Sequence, residues 1–532
     1  MTWVVVVADK VDEGGLALLA QAPGIEVVKA IKNPAKLKEA LPAAHALLVR
    51  SETKVTAEIL ALAPQLRVIG RAGIGVDNID VDEATRRGVA VFNAPGGNTA
   101  SAAEHTLGLL LALERKIPWA DASMRRGEWD RARFQGNELR GKVLGVVGLG
   151  RIGAHVAKLA RAIGMQVLAY DPYLTQARAQ ELQVELVALD AMLPRVDVVT
   201  LHLPLGKDTR NLIDRRRLAL MKPSAVLLNC ARGGLVDEGA LVEALAQGKL
   251  GGAAIDVFET EPLPADSPLR KAERVILTPH LAASTVEAQE LVGLEICRTV
   301  RDALLTGSLN GAVNLPGVSG AMLARLQPLL ELARRLGRLA AGLAEGRVER
   351  IEVQYGGTDQ NAQRVVQLAA IEGALGAMGV GPVTLVNAAA LAQGRGIALD
   401  GRTASPQPGF ETTVEVIARS GSEATSVVGA LAGEEGHIVR INGFAIDIPP
   451  EGLVLVLRNR DAPGVIGRVG TVLGEAQVNI GAYHLSRRTE RGKEALGAVA
   501  VDHPPPPEVL KRLAGLKDVL DVRIANLDGA SP

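Results

Sequence analysis

The feature that most constrains this chain is the string Gly148-Leu149-Gly150-Arg151-Ile152-Gly153, set directly after the apolar run Val143-Leu144-Gly145-Val146-Val147. Glycines at that spacing mean little alone. Between a buried strand and a helical pattern over 151–163 they form a specific device. The first glycine makes a tight turn, the second lets a pyrophosphate approach the backbone, and the third lets helix pack on strand. The helix start presents unpaired N–H groups to the phosphates. Asp171 ends the next strand, 18 residues beyond Gly153. A carboxylate there accepts from ribose hydroxyls and repels a 2′-phosphate, which favours NAD over NADP.

Apolar runs at 143–147, 167–170, 196–201, 225–229, 252–257 and 275–278 alternate with helical patterns. They predict a six-stranded, doubly wound parallel sheet of Rossmann type. Ahead of it, runs at 4–8, 45–50, 68–72 and 89–93 alternate with helical patterns at 11–21, 56–63 and 81–87. These predict a second, flavodoxin-like parallel sheet. Helical patterns at 99–113 and 285–305 flank the Rossmann segment, and the second is expected to run back to the first sheet. After Asn314-Leu315-Pro316-Gly317 the character shifts to a long helical pattern at 322–344, then strands and glycine-rich loops. Pieces at 453–457, 464–474, 480–486, 495–501, 507–516 and 519–526 read β-α-β-β-α-β, the ferredoxin-like order. The expected domains are 1–98 with 285–315, then 99–284, an α+β unit at 316–451, and 452–532. That division suits 532 residues, at about 150 residues per domain.

Lys+Arg and Asp+Glu both number 59, and aromatics make up 2%. A balanced chain with few stacking rings lacks the basic field and platforms of nucleic-acid binders. Cys230 and Cys297 are too few for a disulfide framework. The N-terminal apolar run is too short for a signal segment, and no stretch reaches the ~20 apolar residues of a membrane span. A cytoplasmic setting, with no membrane and no nucleic acid as partner, is the expectation. Neither H-E-x-x-H nor paired C-x-x-C occurs, so no metal is expected.

Three polar groups follow late strands of the Rossmann segment and should project from its carboxyl edge, beside the dinucleotide turn. They are Arg232, after Asn229-Cys230-Ala231; Glu261, after Asp256-Val257-Phe258; and His280, after Thr278-Pro279. Removing a hydride from a 2-hydroxy acid needs a base for the hydroxyl proton, and imidazole titrates near neutrality. A carboxylate beside it holds the tautomer; Glu261 is preferred, with Glu259 as the alternative. A guanidinium clamps the substrate carboxylate and polarises the carbonyl. Cys230 is read as a small buried residue, not a nucleophile. His45, His105, His155, His202, His437, His484 and His503 are read as structural rather than catalytic. His202 is still counted, with Pro204, Cys230, Ala231, Arg232, Asp256 and His280, among residues lining the cofactor, beside Gly148, Gly150, Arg151, Ile152, Gly153 and Asp171.

These strings, with Gly70-Arg71-Ala72-Gly73-Ile74-Gly75-Val76-Asp77-Asn78, Asn93-Ala94-Pro95-Gly96-Gly97-Asn98 and Pro279-His280-Leu281-Ala282-Ala283-Ser284-Thr285, resemble the D-2-hydroxyacid dehydrogenase family, in its long form acting on 3-phosphoglycerate. The resemblance implies oxidation of 3-phospho-D-glycerate to 3-phosphooxypyruvate, the first step of L-serine synthesis, by Arg232, Glu261 and His280. It implies that the Gly73-Ile74-Gly75 backbone meets the substrate carboxylate. Arg50, Ser51 and Asn98 become phosphate candidates, with Arg131 and Arg133 reaching in from a neighbouring subunit of a homo-oligomer, a dimer of dimers. Residues 316–451 resemble the family's intervening regulatory domain, with Ile438-Val439-Arg440-Ile441-Asn442-Gly443 its most recognisable string. Residues 452–532 resemble an ACT domain, which binds amino acids between subunits. Asn459, Asp461 and Asn479 are its candidates for an L-serine effector; Asn459 stands where an aromatic or His is frequent. A hydroxypyruvate or glyoxylate reductase is the nearest alternative, disfavoured by the ACT-like tail. An NAD-binding transcriptional corepressor is the other, disfavoured by the zero net charge.

Overall fold

The computed structural model describes residues 2–315, 318, 320–359, 361–487 and 494–528. Pro316 and Gly317, at the expected change of character, lie outside the described residues. The first sheet is wholly parallel, with strands β1 (Trp3–Val7), β2 (Ile25–Lys29), β3 (Ala46–Val49), β4 (Val68–Arg71) and β5 (Ala90–Asn93) in the order β2-β1-β3-β4-β5. Strand β2 goes beyond the expected four. It is an edge strand with Glu26 and Lys29 exposed, so it lacks the continuous apolar run that marks its neighbours.

The second sheet is also parallel. Its strands β6 (Val143–Val147), β7 (Gln166–Tyr170), β8 (Glu185–Leu186), β9 (Val198–Leu201), β10 (Val226–Asn229), β11 (Gly252–Ile255) and β12 (Val275–Leu277) run in the order β12-β11-β10-β9-β6-β7-β8. It has seven strands rather than six because the two-residue β8 adds to one edge. The order reverses between β6 and β9, where a doubly wound sheet opens its ligand crevice. The helix Thr99–Glu114 packs on this second sheet. The helix Val286–Thr306 returns to the first sheet, lying on β4 and on the helix Glu13–Ala20. Gly15 and Gly293 permit that crossing: a Cβ on Gly15 would stand 2.6 Å from the Gly293 carbonyl oxygen.

The third sheet holds β13 (Arg350–Gly356), β14 (Ala398–Ala404), β15 (Thr412–Ser420), β16 (Glu423–Ala432), β17 (Glu435–Ile441) and β18 (Phe444–Ile448), in the order β14-β13-β15-β16-β17-β18. Only β13 and β14 are parallel. The helices Gly320–Leu343 and Ala362–Ala377 cover it, drawn close by Gly337 and Gly373. The fourth sheet, β19 (Leu453–Asn459), β20 (Ile480–Arg487), β21 (Ala495–Val501) and β22 (Val519–Asn526), has the order β20-β21-β19-β22, the ferredoxin-like arrangement expected. Period-2 alternation splits β19: Leu455 and Leu457 face this unit's own helices, while Val454 and Val456 join the core around Gly320–Leu343.

Candidate active site

In the glycine-rich turn the backbone itself calls for glycine at two of the three positions. Gly148 has φ +93°, and Gly153 sits so close to the turn that a Cβ would fall 2.0 Å from the Gly148 carbonyl oxygen. Gly150 precedes the helix Arg151–Ala162, and a Cβ there meets open space, leaving the helix N-terminus approachable. Asp171 directly follows β7, with one oxygen accepting from Leu149 N at 2.8 Å and the other from Tyr173 N at 2.9 Å. The carboxylate is thereby oriented beside the turn, with acceptor capacity left over.

Between the first two sheets lies a cleft of about 570 Å³. Gly150, Arg151, Ile152, His202, Pro204, Cys230, Ala231, Arg232 and His280 line it from one lobe, and Arg50, Ser51, Gly73, Ile74, Gly75 and Asn98 from the other. An adjoining chamber of about 560 Å³ shares Arg232 and His280 and adds Glu261. Asn98 is buried with its Oδ1 unpartnered. His202 is half-buried, and enclosure lowers its pKa to about 4, so it is neutral at pH 7. Burial and then the Asp256 charge push the Cys230 thiol up to about 12, which leaves no thiolate for nucleophilic work.

His280 has φ +55°, and its N–H donates to the carbonyls of Asp256 and Thr278. Its Nδ1 lies 2.8 Å from Glu261 Oε2, while Glu261 Oε1 accepts from Phe258 N at 3.0 Å. Burial alone would raise the Glu261 pKa, but the bonds from His280 and Phe258 outweigh it and hold the carboxyl below its usual range. Glu259 lines the same chamber but pairs with Arg210 at 3.4 Å. Asp256 is 0% exposed and does not line the cleft. Its carboxylate accepts from Thr278 Oγ1 and from the N–H groups of Leu281 and Ala282, at 2.6–3.0 Å, with His105 Nε2 3.3 Å away. It thus moors the loop that displays His280. Burial opposes its ionisation, yet those bonds, His105 first, keep its pKa low.

Arg232 spans the lobes. Its Nε donates to Asp77 at 2.8 Å and its Nη1 to its neighbour, the Ala231 carbonyl, at 2.6 Å. Sequence reasoning passed over two groups here. Arg71 lines the cleft with Asp77, and burial, then the nearby Arg232, lowers its pKa to about 10. Neither residue carries a motif of its own, and the only signal was their place in the 70–78 string. In the C-terminal unit Asp461 is paired with Arg487 at 3.1 Å, and Asn479 Nδ2 donates to Asp502 at 2.7 Å. Asn459 is buried, with Nδ2 on the Arg460 carbonyl and Oδ1 unpartnered.

The fold and this cleft define an NAD-dependent oxidoreductase of the D-2-hydroxyacid class. Residues 107–282 match the model of the D-isomer specific 2-hydroxyacid dehydrogenase NAD-binding domain, 325–442 that of the D-3-phosphoglycerate dehydrogenase intervening domain, and 453–518 that of the ACT domain. D-3-phosphoglycerate dehydrogenases of Methanocaldococcus jannaschii and Mycobacterium tuberculosis are 40% and 43% identical to it, over 98% of this chain and 99% of each relative. The chain belongs to the D-3-phosphoglycerate dehydrogenase family. Among solved structures, a Staphylococcus aureus NAD-dependent formate dehydrogenase in complex with NAD matches with TM-score 0.52 and 31% identity, over 57% of this chain and 96% of that one.

Proposed function

We propose that this chain oxidises 3-phospho-D-glycerate to 3-phosphooxypyruvate with NAD, the step that opens L-serine synthesis. The observation that carries the reading is the Glu261–His280 pair, set beside Arg232 at the edge of an arginine-rich cleft. With Nδ1 turned to Glu261, His280 keeps Nε2 for the substrate hydroxyl proton. Glu261 fixes that tautomer and stabilises the imidazolium once the proton arrives. Arg232 clamps the carboxylate and polarises the reacting oxygen, and the 73–75 backbone supports the carboxylate. Arg50, Arg71, Ser51 and Asn98 face the phosphate.

NAD, when bound, supplies the hydride acceptor. The open space at Gly150 and the oriented Asp171 suit it. Gly148, Gly150, Arg151, Ile152 and Gly153 hold its pyrophosphate, Asp171 its ribose, and His202, Pro204, Cys230 and Ala231 the remainder.

The same reading divides the chain at 98/99, 284/285, 315/316 and 451/452. It makes the enzyme a cytoplasmic dimer of dimers, in keeping with its two free, buried cysteines and with the exposed Ile117, Met124 and Trp129 near Arg131 and Arg133. No helix among the described residues is long and apolar enough to cross a membrane. L-serine is the proposed effector of the C-terminal unit. NADH formation from 3-phosphoglycerate and NAD tests the reading, run beside reduction of 3-phosphooxypyruvate, hydroxypyruvate and glyoxylate because the oxidation is uphill. Higher kcat/KM for glyoxylate than for the phosphorylated substrate would sink it.

A further inference from the structure

The cleft gathers four guanidinium groups, of Arg50, Arg71, Arg151 and Arg232, around one carboxylate, Asp77, among the described residues that line it. Crowded like charges drift apart unless something holds them. Two adjacent side chains do the holding. Asp77 Oδ2 accepts from Arg232 Nε at 2.8 Å, across the lobes. Asn78 Oδ1 accepts from Arg71 Nε at 2.9 Å. Asn78 is itself braced, since its Nδ2 donates to the carbonyls of Arg50 at 2.8 Å and Thr53 at 2.6 Å.

Two of the four, Arg232 and Arg71, are therefore docked by Nε and turned so that an Nη group lies against bare backbone. A Cβ on Gly75 would stand 1.8 Å from Arg232 Nη2, and one on Gly73 would stand 2.4 Å from Arg71 Nη1. The two cations thus flank the short glycine-bounded stretch 73–75 at a separation set by neighbouring residues of one chain segment.

We propose that Asp77 and Asn78 are positioning residues that fix the spacing of Arg232 and Arg71, and so set the substrate class of the cleft as a short 2-hydroxy or 2-oxo acid carrying a second anionic group at its far end. The inference rests on the function proposed above. Arg232, held by Asp77, serves every 2-oxo acid, because each has the carboxylate and the reacting oxygen. Arg71, held by Asn78, serves only an acid with the distal anion. The two variants must therefore differ in which substrates they spoil, a split that general loosening of the loop would not produce.

The test compares full-length Asp77→Ala, Asn78→Ala and Arg71→Ala with the parent enzyme in NADH-dependent reduction of 3-phosphooxypyruvate and of hydroxypyruvate, which lacks the phosphate. NADH fluorescence titration checks that each variant keeps its cofactor site. Asn78→Ala is expected to lower kcat/KM for the phosphorylated acid by about 10-fold, mainly through KM, and for hydroxypyruvate by less than about 3-fold. Asp77→Ala is expected to lower both by about 10-fold or more. Should Asp77→Ala lose NADH binding, Asp77→Asn replaces it, keeping the acceptor without the charge, with a smaller loss on both substrates. Equal losses on the two substrates in Asn78→Ala, or no loss in either variant, would overturn the proposal. Selective loss in Arg71→Ala without selective loss in Asn78→Ala would overturn it while leaving the phosphate reading of Arg71 standing. Equal losses in Arg71→Ala would overturn that reading and the proposal with it.

Discussion

The interlobe cleft and the loop at 459–464 of the C-terminal unit use the same kinds of side chain in opposite ways. In the cleft, His280, Arg232 and Arg71 are each bonded on one side, with further donors or acceptors left over on the other. His280 spends Nδ1 on Glu261, and Arg232 spends Nε on Asp77. In the C-terminal unit two of the three candidates are already paired, while Asn459 keeps a buried, unpartnered Oδ1. Asp461 is neutralised by Arg487, and Asn479 is bonded to Asp502. A side chain anchored at one end and free at the other is preorganised for a ligand. One whose charge is already answered must first give up a partner. Chemistry in the cleft should therefore respond sharply to single substitutions, and binding at the loop only weakly.

The largest effect expected is His280→Ala. Removing a general base lowers kcat by about 10²-fold or more, while NADH binding barely changes because the dinucleotide turn is untouched. Steady-state kinetics with NADH titration checks both halves. A variant with near-parental turnover would erase the contrast between the two regions.

Next comes Asp256→Asn, which tests whether the cleft owes its sharpness to a buried mooring. The amide still accepts but turns an N–H group toward donors, leaving buried N–H groups unpaired at a cost of about 1–3 kcal/mol. The Asp256 pKa is lowered in the folded protein from 3.8. The unfolded chain therefore binds more protons in the interval below that value. The stabilisation by this carboxylate is complete above pH 3.8 and is lost as pH falls through the folded value. Thermal unfolding should find the variant less stable at neutral pH and the gap closing in acid. A gap independent of pH would mean that the charge of Asp256 is not what holds the loop.

Asp171→Ala is expected to weaken NAD by about 10-fold, the scale of one charge-assisted hydrogen-bonding group, and to narrow the preference over NADP. Its carboxylate also orders the turn through Leu149, so part of the loss falls on both cofactors. Cofactor titration separates the two: a loss equal for NAD and NADP would assign Asp171 to the turn alone.

How much could be read beforehand follows from the same contrast. Central strands such as β3 and β6 are buried on both faces, so unbroken apolar runs betrayed them. Edge strands β2 and β8 carry charged, exposed residues and did not register. The glycine turn and His280 were legible because their chemistry fixes residue type and spacing together. Arg71 was not, because an arginine at a strand end has no local pattern. Only folding sets it beside Arg232, 161 residues onward, by way of Asn78 and Asp77. In the C-terminal loop, residue types suggested acceptors for an ammonium group, but the pairing of Asp461 with Arg487 on β20 is a tertiary fact.

The smallest effect belongs to that pair. Arg487 is 63% exposed at its side chain and Asp461 17%, so the ion pair is screened on one side and of the modest kind. Such contacts are typically worth about 0.2–1 kcal/mol. An L-serine ammonium group seeking Asp461 must compete with the guanidinium, and loses about that much affinity in doing so. Arg487→Ala is therefore expected to tighten L-serine by about 1.4- to 5-fold, the same energy read as a binding ratio, with kcat in the absence of serine unchanged because the cleft lies in other lobes. Calorimetric titration of the parent and variant enzymes with L-serine, beside turnover at saturating serine, measures both quantities. Weaker binding in the variant would make Arg487 part of the effector site, its guanidinium meeting the serine carboxylate instead of blocking the ammonium. Absence of binding heat in both proteins would leave Asp461 and Arg487 as a structural pair that closes the loop against β20.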